Sequence, residues 1–404
     1  MHKKLWNKDY ILMLQGNAVS QLGDILYSVA IGYWVYEKTG SSALMGIMSS
    51  ISMFMTMIVM PFSGSIIDKC DRKLVIVGAD ALRGVLMLAV SAFAFAGKLT
   101  VPLVLLAAFL ASACTVFFNP AASTLMLDII PHDDMVRGQS VQSGVLTALS
   151  LVGKAVSGAL TAFLGVPLII AINGLSYLIS AFTEVFITVP KTPAQGESIG
   201  VRKIFSDLGL GVREVLETPA LRLFIPSVIL VNFLGAGPMT LMLPFVLDKG
   251  FTVDMYGYLM SVEMAATFLC VCILSIVKLK PGVRYYSMAA SFLLASAFCI
   301  IGYGTGSYAL MCAMLFLGGF LNTVGNSIFN AALMLALPEA NRGAILGFVN
   351  AASTGGTACS AVVFGFLCDR FPIPAVFIGA TLVSMLPLGY MCLHKTTKEF
   401  VLTH

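Results

Sequence analysis

Three ionisable side chains fall deep inside long apolar runs: Asp24, Lys154 and Glu263. A charge at the centre of a bilayer costs at least ~2.5–3.5 kcal/mol on insertion scales, so each needs a reason to be there. Asp24 lies about 14 residues into its run, or about 21 Å along a helix that rises 1.5 Å per residue. Lys154 lies about 16 residues in, or about 24 Å, and Glu263 about 9 residues, or about 14 Å. Burial favours a neutral carboxyl and a neighbouring cation favours the ionised form, so an acid moving between such surroundings exchanges a proton. Asp24 and Glu263 are therefore candidate proton-coupling groups. Lys154 is a fixed cation, able to pair with an acid or to attract an anionic ligand.

A second set of polar side chains lies at similar depth: Gln21, Tyr27, Asn232, Asn322, Asn326 and Asn330. The last three recur at i, i+4 and i+8 and so share one helix face. A polar stripe on an apolar helix faces either a cavity or another helix; a substrate cavity is the reading taken. The 22 Met and 27 Phe suit a pliable apolar wall, and equally suit ordinary packing.

The elements that hold these groups are membrane helices. Of the 404 residues 58% are hydrophobic and 11% charged, far below the roughly 25% charge of soluble chains. Charge-free runs extend from Thr39 to Ile67, Leu99 to Leu127 and Ala155 to Thr183. Each exceeds the ~20 residues a helix needs to cross the hydrocarbon core. The run after the charged N-terminus continues to Tyr36, too long for a signal-peptide core, and reads as a first span.

Connectors rich in charge, Gly and Pro predict twelve spans, at 10–36, 42–67, 74–96, 102–130, 138–163, 166–189, 221–247, 254–277, 284–303, 307–337, 343–367 and 373–393. With both termini in the cytoplasm, only Lys38, Lys98, Lys249 and Arg370 of the 24 Lys and Arg fall outside. Arg83 and Lys154 fall within spans, and the remainder lie inside. That asymmetry sets the orientation and accounts for the net charge of +4 without nucleic acid. The predicted layout is an N-terminal six-helix half (1–190), a cytoplasmic linker (191–220) and a C-terminal six-helix half (221–404). In the linker, Ile204, Leu208, Val212 and Val215 recur at helical spacing, with Arg202, Lys203, Asp207, Arg213, Glu214 and Glu217 on other faces. This reads as an amphipathic helix on the membrane surface, or as a plain solvated linker helix.

The halves repeat. Glu37-Lys38 with Gly46 is echoed by Asp248-Lys249 with Gly257, each displaced by 211 residues. Phe118-Asn119, Ala121-Ala122, Pro131 and Arg137-Gly138 are echoed by Phe329-Asn330, Ala331-Ala332, Pro338 and Arg342-Gly343. A six-plus-six duplication is a transporter architecture with its ligand site near the midplane.

Several chemistries are set aside. The nine Cys are scattered and the four His lie at span ends or tails, so no metal site and no disulfide framework are expected. No G-x-x-x-x-G-K-(S/T) loop and no Ser/His or Cys/His constellation at span depth occurs, so neither ATP hydrolysis by that loop nor enzymatic catalysis is expected. No cofactor is expected.

With these residues in view, the chain resembles the major facilitator superfamily over essentially its whole length. Within it, the chain is most similar to the drug:proton antiporter-3 branch, which includes macrolide-efflux-like permeases. The superfamily loop G-x-x-x-D-(R/K)-x-G-(R/K)-(R/K) is matched by Gly64, Asp68, Lys69, Arg72 and Lys73, with Asp71 in place of the usual Gly. Ser20-Gln-Leu-Gly-Asp24, Phe118-Asn-Pro-Ala121, Leu127-Asp128-Ile-Ile-Pro131 and Asn173-Gly-Leu-Ser-Tyr177 fit the branch.

The resemblance implies an all-α, twelve-helix polytopic fold in two halves, and a gating role for the loop between spans 2 and 3. There Gly64 permits close helix approach, and Asp68 serves as an anion at a helix N-terminus. Lys69, Asp71, Arg72 and Lys73, with Asp80, Arg83 and Asp128, are expected to form an inner-face charge network. The alternative is that the loop's bases act only as topology determinants. The superfamily fold sets spans 1 and 5 side by side, which makes Asp24 and Lys154 an expected pair: coupling-competent, or static and helix-orienting. Glu263 is either a coupling acid or a residue of the outer vestibule. Related antiporters carry Gly-Pro-x-x-x-Gly in span 5, whereas this chain has Gly153-Lys154-Ala-Val-Ser-Gly158.

The function implied is secondary transport in the cytoplasmic membrane, exporting hydrophobic or amphipathic small molecules of drug or macrolide type by alternating access. Expected partners are the substrate, membrane lipids and protons, acting on a monomer. The rivals are a lysophospholipid or siderophore permease, supported by Lys154, and a non-transporting receptor or assembly factor.

Overall fold

The computed structural model describes residues 5–67, 70–131, 134–188, 209, 212–213, 215–217, 219–277, 281–336 and 342–394. Thirteen helices are defined among them. They are α1 (Lys8–Thr39), α2 (Ser42–Ile67), α3 (Arg72–Phe95), α4 (Val101–Ile129), α5 (Met135–Leu164), α6 (Val166–Glu184), α7 (Pro219–Thr240), α8 (Met242–Asp248), α9 (Val253–Ile276), α10 (Pro281–Gly304), α11 (Tyr308–Ala336), α12 (Arg342–Arg370) and α13 (Ile373–Leu393). Helices α2–α6 and α9–α13 are long and apolar enough to cross a membrane, and α7 with α8 passes the same test only as a bent pair. At 32 residues α1 is long enough as well. It is less apolar because Asn17, Gln21 and Asp24 interrupt its run.

Local chemistry fixes where these helices begin and end. Asn7 caps α1, its side chain accepting from the Tyr10 N–H at 2.9 Å. Gly40 closes the same helix in the left-handed conformation (φ 63°) that a β-carbon disfavours. Asp71, the departure from the usual loop Gly, is the N-cap of α3: its carboxylate accepts from the N–H of Lys73 at 3.0 Å and of Leu74 at 3.4 Å. The acid does a helix-capping task there.

Span 7 is where sequence and structure differ. The apolar run over 221–247 reads as one helix, yet the chain bends by 51° between α7 and α8, at Leu241. Pro244 is the physical reason. It has no N–H for the Thr240 carbonyl four residues back, and its ring crowds that carbonyl, so the ladder stops there.

The chain packs as two compact units. One is built on α1, residues 51–67 of α2, and α3–α6; the other on residues 41–50 of α2 and α7–α13. In the first unit α1 packs on α5 and α6, and α3 on α4 and α6. In the second, α7 packs on α12 and α13, and α10 on α11 and α13. Counted as spans, these are the same pairings moved on by six, which is the internal repeat expressed as packing. The α3–α6 contact is close because glycines meet: a β-carbon on Gly84 would lie 3.0 Å from the Gly174 carbonyl oxygen, and one on Gly174 3.1 Å from that of Gly84. The second unit is filled by rings: Phe245 stacks on Phe377 at 4.7 Å, and Tyr303 meets both edge-on.

Of the linker, Ile204, Leu208, Arg202, Lys203, Asp207 and Glu214 lie outside the described residues. Val215 is buried in one apolar cluster with Ile225, and the exposed Arg213 and Glu217 form an i, i+4 ion pair at 2.7 Å.

Candidate functional site

Helices α1, α3, α4 and α5 of the first unit enclose a cavity of about 340 Å³. Its lining is mostly polar: Asn17, Ser20, Gln21 and Asp24 from α1, Arg83 from α3, Thr115, Asn119 and Ser123 from α4, and Gln139 and Gln142 from α5. Phe118, Met13, Met126 and Leu146 supply apolar wall. Amides and hydroxyls in this density fix a ligand by hydrogen bonds, within an otherwise apolar bundle.

The two charges in this wall are held from behind by α6. Tyr177 donates its hydroxyl hydrogen to Asp24 Oδ1. Arg83 donates from Nη2 to Asp80 Oδ1, three residues earlier on α3, and from Nη1 to Thr115 Oγ1 at 3.4 Å. The guanidinium lies between two rings, 4.6 Å from the Phe118 centroid and 4.5 Å from that of Tyr177. Sandwiching between aromatic faces suits a planar cation that must stay charged out of water. Asp80 is fully buried and Arg83 is 4% exposed.

Room for this arrangement comes from glycines on α1. A β-carbon on Gly23 would lie 2.4 Å from Ser176 Oγ and 2.6 Å from Asn173 Oδ1. One on Gly16 would lie 2.7 Å from Ser180 Oγ and 3.5 Å from Glu184 Oε1. Spaced seven apart, the two glycines form one α1 face against α6, two turns in length. Asp24, next to Gly23, thereby comes within reach of Tyr177.

The expected pair of Asp24 with Lys154 does not form. Among the described residues Asp24 has Tyr177 as its hydrogen-bond partner and makes no ion pair, and Lys154 makes none either. The packing explains the difference. On α5 it is Gly153 that faces α1, where a β-carbon would lie 3.1–3.3 Å from Ile25 and Leu22. Lys154, one position on, is turned about 100° around the helix from that contact. Lys154 is not among the cavity residues.

The expected inner-face network resolves into two separate pairs. Arg72 meets Asp128 at 2.8 Å, tying the start of α3 to the end of α4. Asp80 and Arg83 form the other, about 16 Å further along α3 by helical rise. Lys73 stands in the first turn of α3 behind its Asp71 cap. Gly64 lies in the last turn of α2, and Asp68 and Lys69 lie outside the described residues.

Gln21 lines the cavity with Asp24. Tyr27, one turn along from Asp24, has a buried hydroxyl with no hydrogen-bond partner among the described residues. Asn232 is exposed on α7, and Asn322, Asn326 and Asn330 share one exposed face of α11. Asn326 Nδ2 donates to Asn322 Oδ1 at 3.1 Å, so that stripe is partly bonded to itself. Glu263 is half-buried on α9 and acts electrostatically on Tyr256, Cys299 and Tyr303 of its own unit.

Sequence reasoning passed over Tyr177, Ser180 and Glu184 of α6 and the amides Asn17, Asn119, Gln139 and Gln142. Tyr177 lies in a quoted branch motif, and its hydroxyl was the available signal. Glu184 closes a helix at a span end, where acids are commonplace, yet it is 1% exposed.

Residues 13–288 and 227–399 match the profile of the Major Facilitator Superfamily. The chain belongs to that superfamily. Its long apolar helices suit a multi-pass membrane protein. The macrolide efflux protein A of Streptococcus pyogenes is 25% identical over 194 residues, 48% of each chain. The putative bacilysin exporter BacE of Bacillus subtilis is 30% identical over 218 residues, 52% of this chain and 51% of that one. The chain thus spans about half the length of the curated relatives it matches. Among solved structures, the nucleoside transporter NupG superposes with a TM-score of 0.71 at 16% identity, covering 95% of this chain and 99% of that one. A bacterial homologue of the lysosomal transporter Spinster gives 0.68 at 14% identity, over 98% and 97%. Both likenesses are of major-facilitator fold.

Proposed function

We propose that this chain is a proton-coupled exporter of amphipathic small molecules in the cell membrane, with Asp24 as a coupling acid. One observation carries the reading: a carboxylate without an ion-pair partner lines a polar cavity and is held by a phenol from a neighbouring helix. An acid so placed answers both to a ligand in the cavity and to a proton. Relatives named for macrolide efflux and bacilysin export support the outward direction. The Lys and Arg bias supports cytoplasmic termini. The protein works as a monomer by alternating access, its six-helix halves (1–190 and 221–404) joined by the 191–220 linker. The Arg72–Asp128 pair and the loop around Gly64, Asp68, Lys69, Asp71 and Lys73 gate the inner face. Glu263 is a second coupling acid. The stripe Asn322, Asn326 and Asn330, with Asn232 and Tyr27, is reserved for substrate contact.

The permease reading for anionic lipids or siderophores rested on Lys154. Lys154 is absent from the cavity wall, and the cation that does line it, Arg83, is paired with Asp80. The test is flux of ethidium and a radiolabelled macrolide in proteoliposomes with an imposed pH gradient. Wild type should accumulate a probe, and Asp24→Asn should lose that accumulation while eluting as a folded monomer. Undiminished accumulation in Asp24→Asn removes the coupling role.

A further inference from the structure

Behind the cavity, on the side away from its ligand space, α3 and α6 bury two more carboxyls. Asp80 is fully buried and Glu184 is 1% exposed. Ser180 joins them: its hydroxyl donates to Glu184 Oε1 at 3.2 Å and also interacts with Asp80. From α1, Gly16 closes directly over Ser180 and Glu184, leaving no room for even a methyl group.

The charges here do not balance. The titratable groups described across this seam are Asp24 and Tyr27 on α1, Asp80 and Arg83 on α3, Cys114 on α4, and Tyr177 and Glu184 on α6. Three carboxyls thus face one guanidinium, and Arg83 is the cation common to all three. It is committed to Asp80 Oδ1. The second oxygen of each buried acid, Asp80 Oδ2 and Glu184 Oε2, has no hydrogen-bond partner among the described residues. Two other residues of the same seam carry buried polar atoms with no hydrogen-bond partner among the described residues: Ser20 Oγ and Arg83 Nε. Two ionised carboxylates with bare oxygens, sealed together away from water, repel each other and lack solvation. One proton on the pair removes the repulsion and leaves one buried charge in place of two.

We propose that Asp80 and Glu184 form a proton-binding site distinct from Asp24, in which two buried carboxyls share one proton and Arg83 sets how firmly it is held. The proton enters on a carboxylate oxygen and leaves to water in the cavity, changing the charge of the site by one. Arg83 connects the two compartments because it lines the cavity and pairs with Asp80. When it leans towards Asp24, the pair loses its cation and holds its proton tighter; when it returns, the proton is released. The transport part of this inference rests on the proton-coupled reading above, whereas the protonation of the pair does not.

The experiment has two arms on the full-length protein. In the first, infrared spectra at neutral pH detect the carbonyl stretch of a protonated, dry carboxylic acid. The band is expected in wild type and absent in both Glu184→Gln and Asp80→Asn, each checked for monodisperse elution. Its absence from wild type, or its persistence unchanged in both variants, overturns the proposal. In the second arm, accumulation of ethidium or a macrolide in proteoliposomes is followed under a one-unit pH gradient. One proton per substrate gives roughly tenfold accumulation in wild type. Glu184→Gln should fall to none while probe exchange without a gradient continues. Full accumulation in Glu184→Gln overturns the coupling role of the pair. A wild type that moves neither probe defeats the export reading, and the infrared arm then decides the proton site by itself.

Discussion

Tyr177 holds Asp24 with its hydroxyl while the face of the same ring lies against Arg83. One side chain from α6 thus governs both charges of the cavity wall. The two roles separate by substitution. Tyr177→Phe keeps the ring on the guanidinium and removes the donor, which costs about 1.5–3 kcal/mol for a hydrogen bond to a charged group. Tyr177→Leu also forfeits the ring contact, adding about 0.5–2 kcal/mol. Thermal unfolding of the purified variants should rank wild type above Phe and Phe above Leu. Equal stability of Phe and wild type would mean that Asp24 is not held in this way.

The Arg83–Asp80 pair is buried on both sides, so removing one member strands the other. Arg83→Met should cost about 3–5 kcal/mol, the range for breaking a buried pair. The double variant Arg83→Met with Asp80→Asn should recover much of that loss, because neither member of the pair is left stranded. Arg83→Lys should not rescue, since an ammonium neither fills the slot between Phe118 and Tyr177 nor reaches Asp80 and Thr115 at once. The check is a double-mutant cycle by thermal or denaturant unfolding. Additive losses would overturn the pairing.

How much of this was legible in the sequence follows from which signals survive without tertiary contacts. Span count and repeat were legible because apolar runs and charged connectors are properties of the chain alone. Asp24 stood out because an acid at mid-span is costly in hydrocarbon and so needs either a partner or a task. Its partner was not legible: whether residue 153 or 154 of α5 faces α1 depends on helix rotation, set by the fit of Gly153 against Ile25 and Leu22. Glu184 was hidden by its place at a span end, where only packing reveals that it is buried. The break at Leu241 was hidden among three prolines. Pro226 and Pro238 sit within α7, and Pro244 is the one at which the helix gives way.

Asp71 marks a departure from the usual loop glycine and caps α3. Asp71→Ala should therefore lower stability by about 0.5–2 kcal/mol, and Asp71→Asn or Asp71→Ser should largely preserve it. Asp71→Gly, the residue common in the superfamily at this place, should cost only a few tenths of a kcal/mol. Melting temperatures of the four variants test the order. A neutral Asp71→Ala would show that the cap contributes nothing.

Asp369, at the end of α12, caps the start of α2 from outside its own helix. Its Oδ1 accepts from the Ser42 N–H at 2.6 Å, and its Oδ2 accepts from the Ser41 hydroxyl at 2.7 Å and the Ala43 N–H at 3.3 Å. An anion on the unpaired N–H groups of a helix start gains from the helix dipole as well as from the hydrogen bonds. The contact is tight, since a β-carbon on Gly365 would lie 2.7 Å from the Ala43 Cα, and one on Gly46 2.1 Å from the Ala361 oxygen. Asp369→Asn keeps an acceptor and loses the charge, and should cost about 0.3–1 kcal/mol. Asp369→Ala loses every bond and should cost about 1–3 kcal/mol, the penalty for leaving buried donors unpaired. Gly46→Leu should be worse than either, because backbone and not a flexible side chain blocks the space. Hydrogen exchange of the first α2 amides reads the same contact directly: protection at Ser42 and Ala43 should fall in Asp369→Ala and be nearly kept in Asp369→Asn. Unchanged protection in the alanine variant would remove Asp369 as the cap.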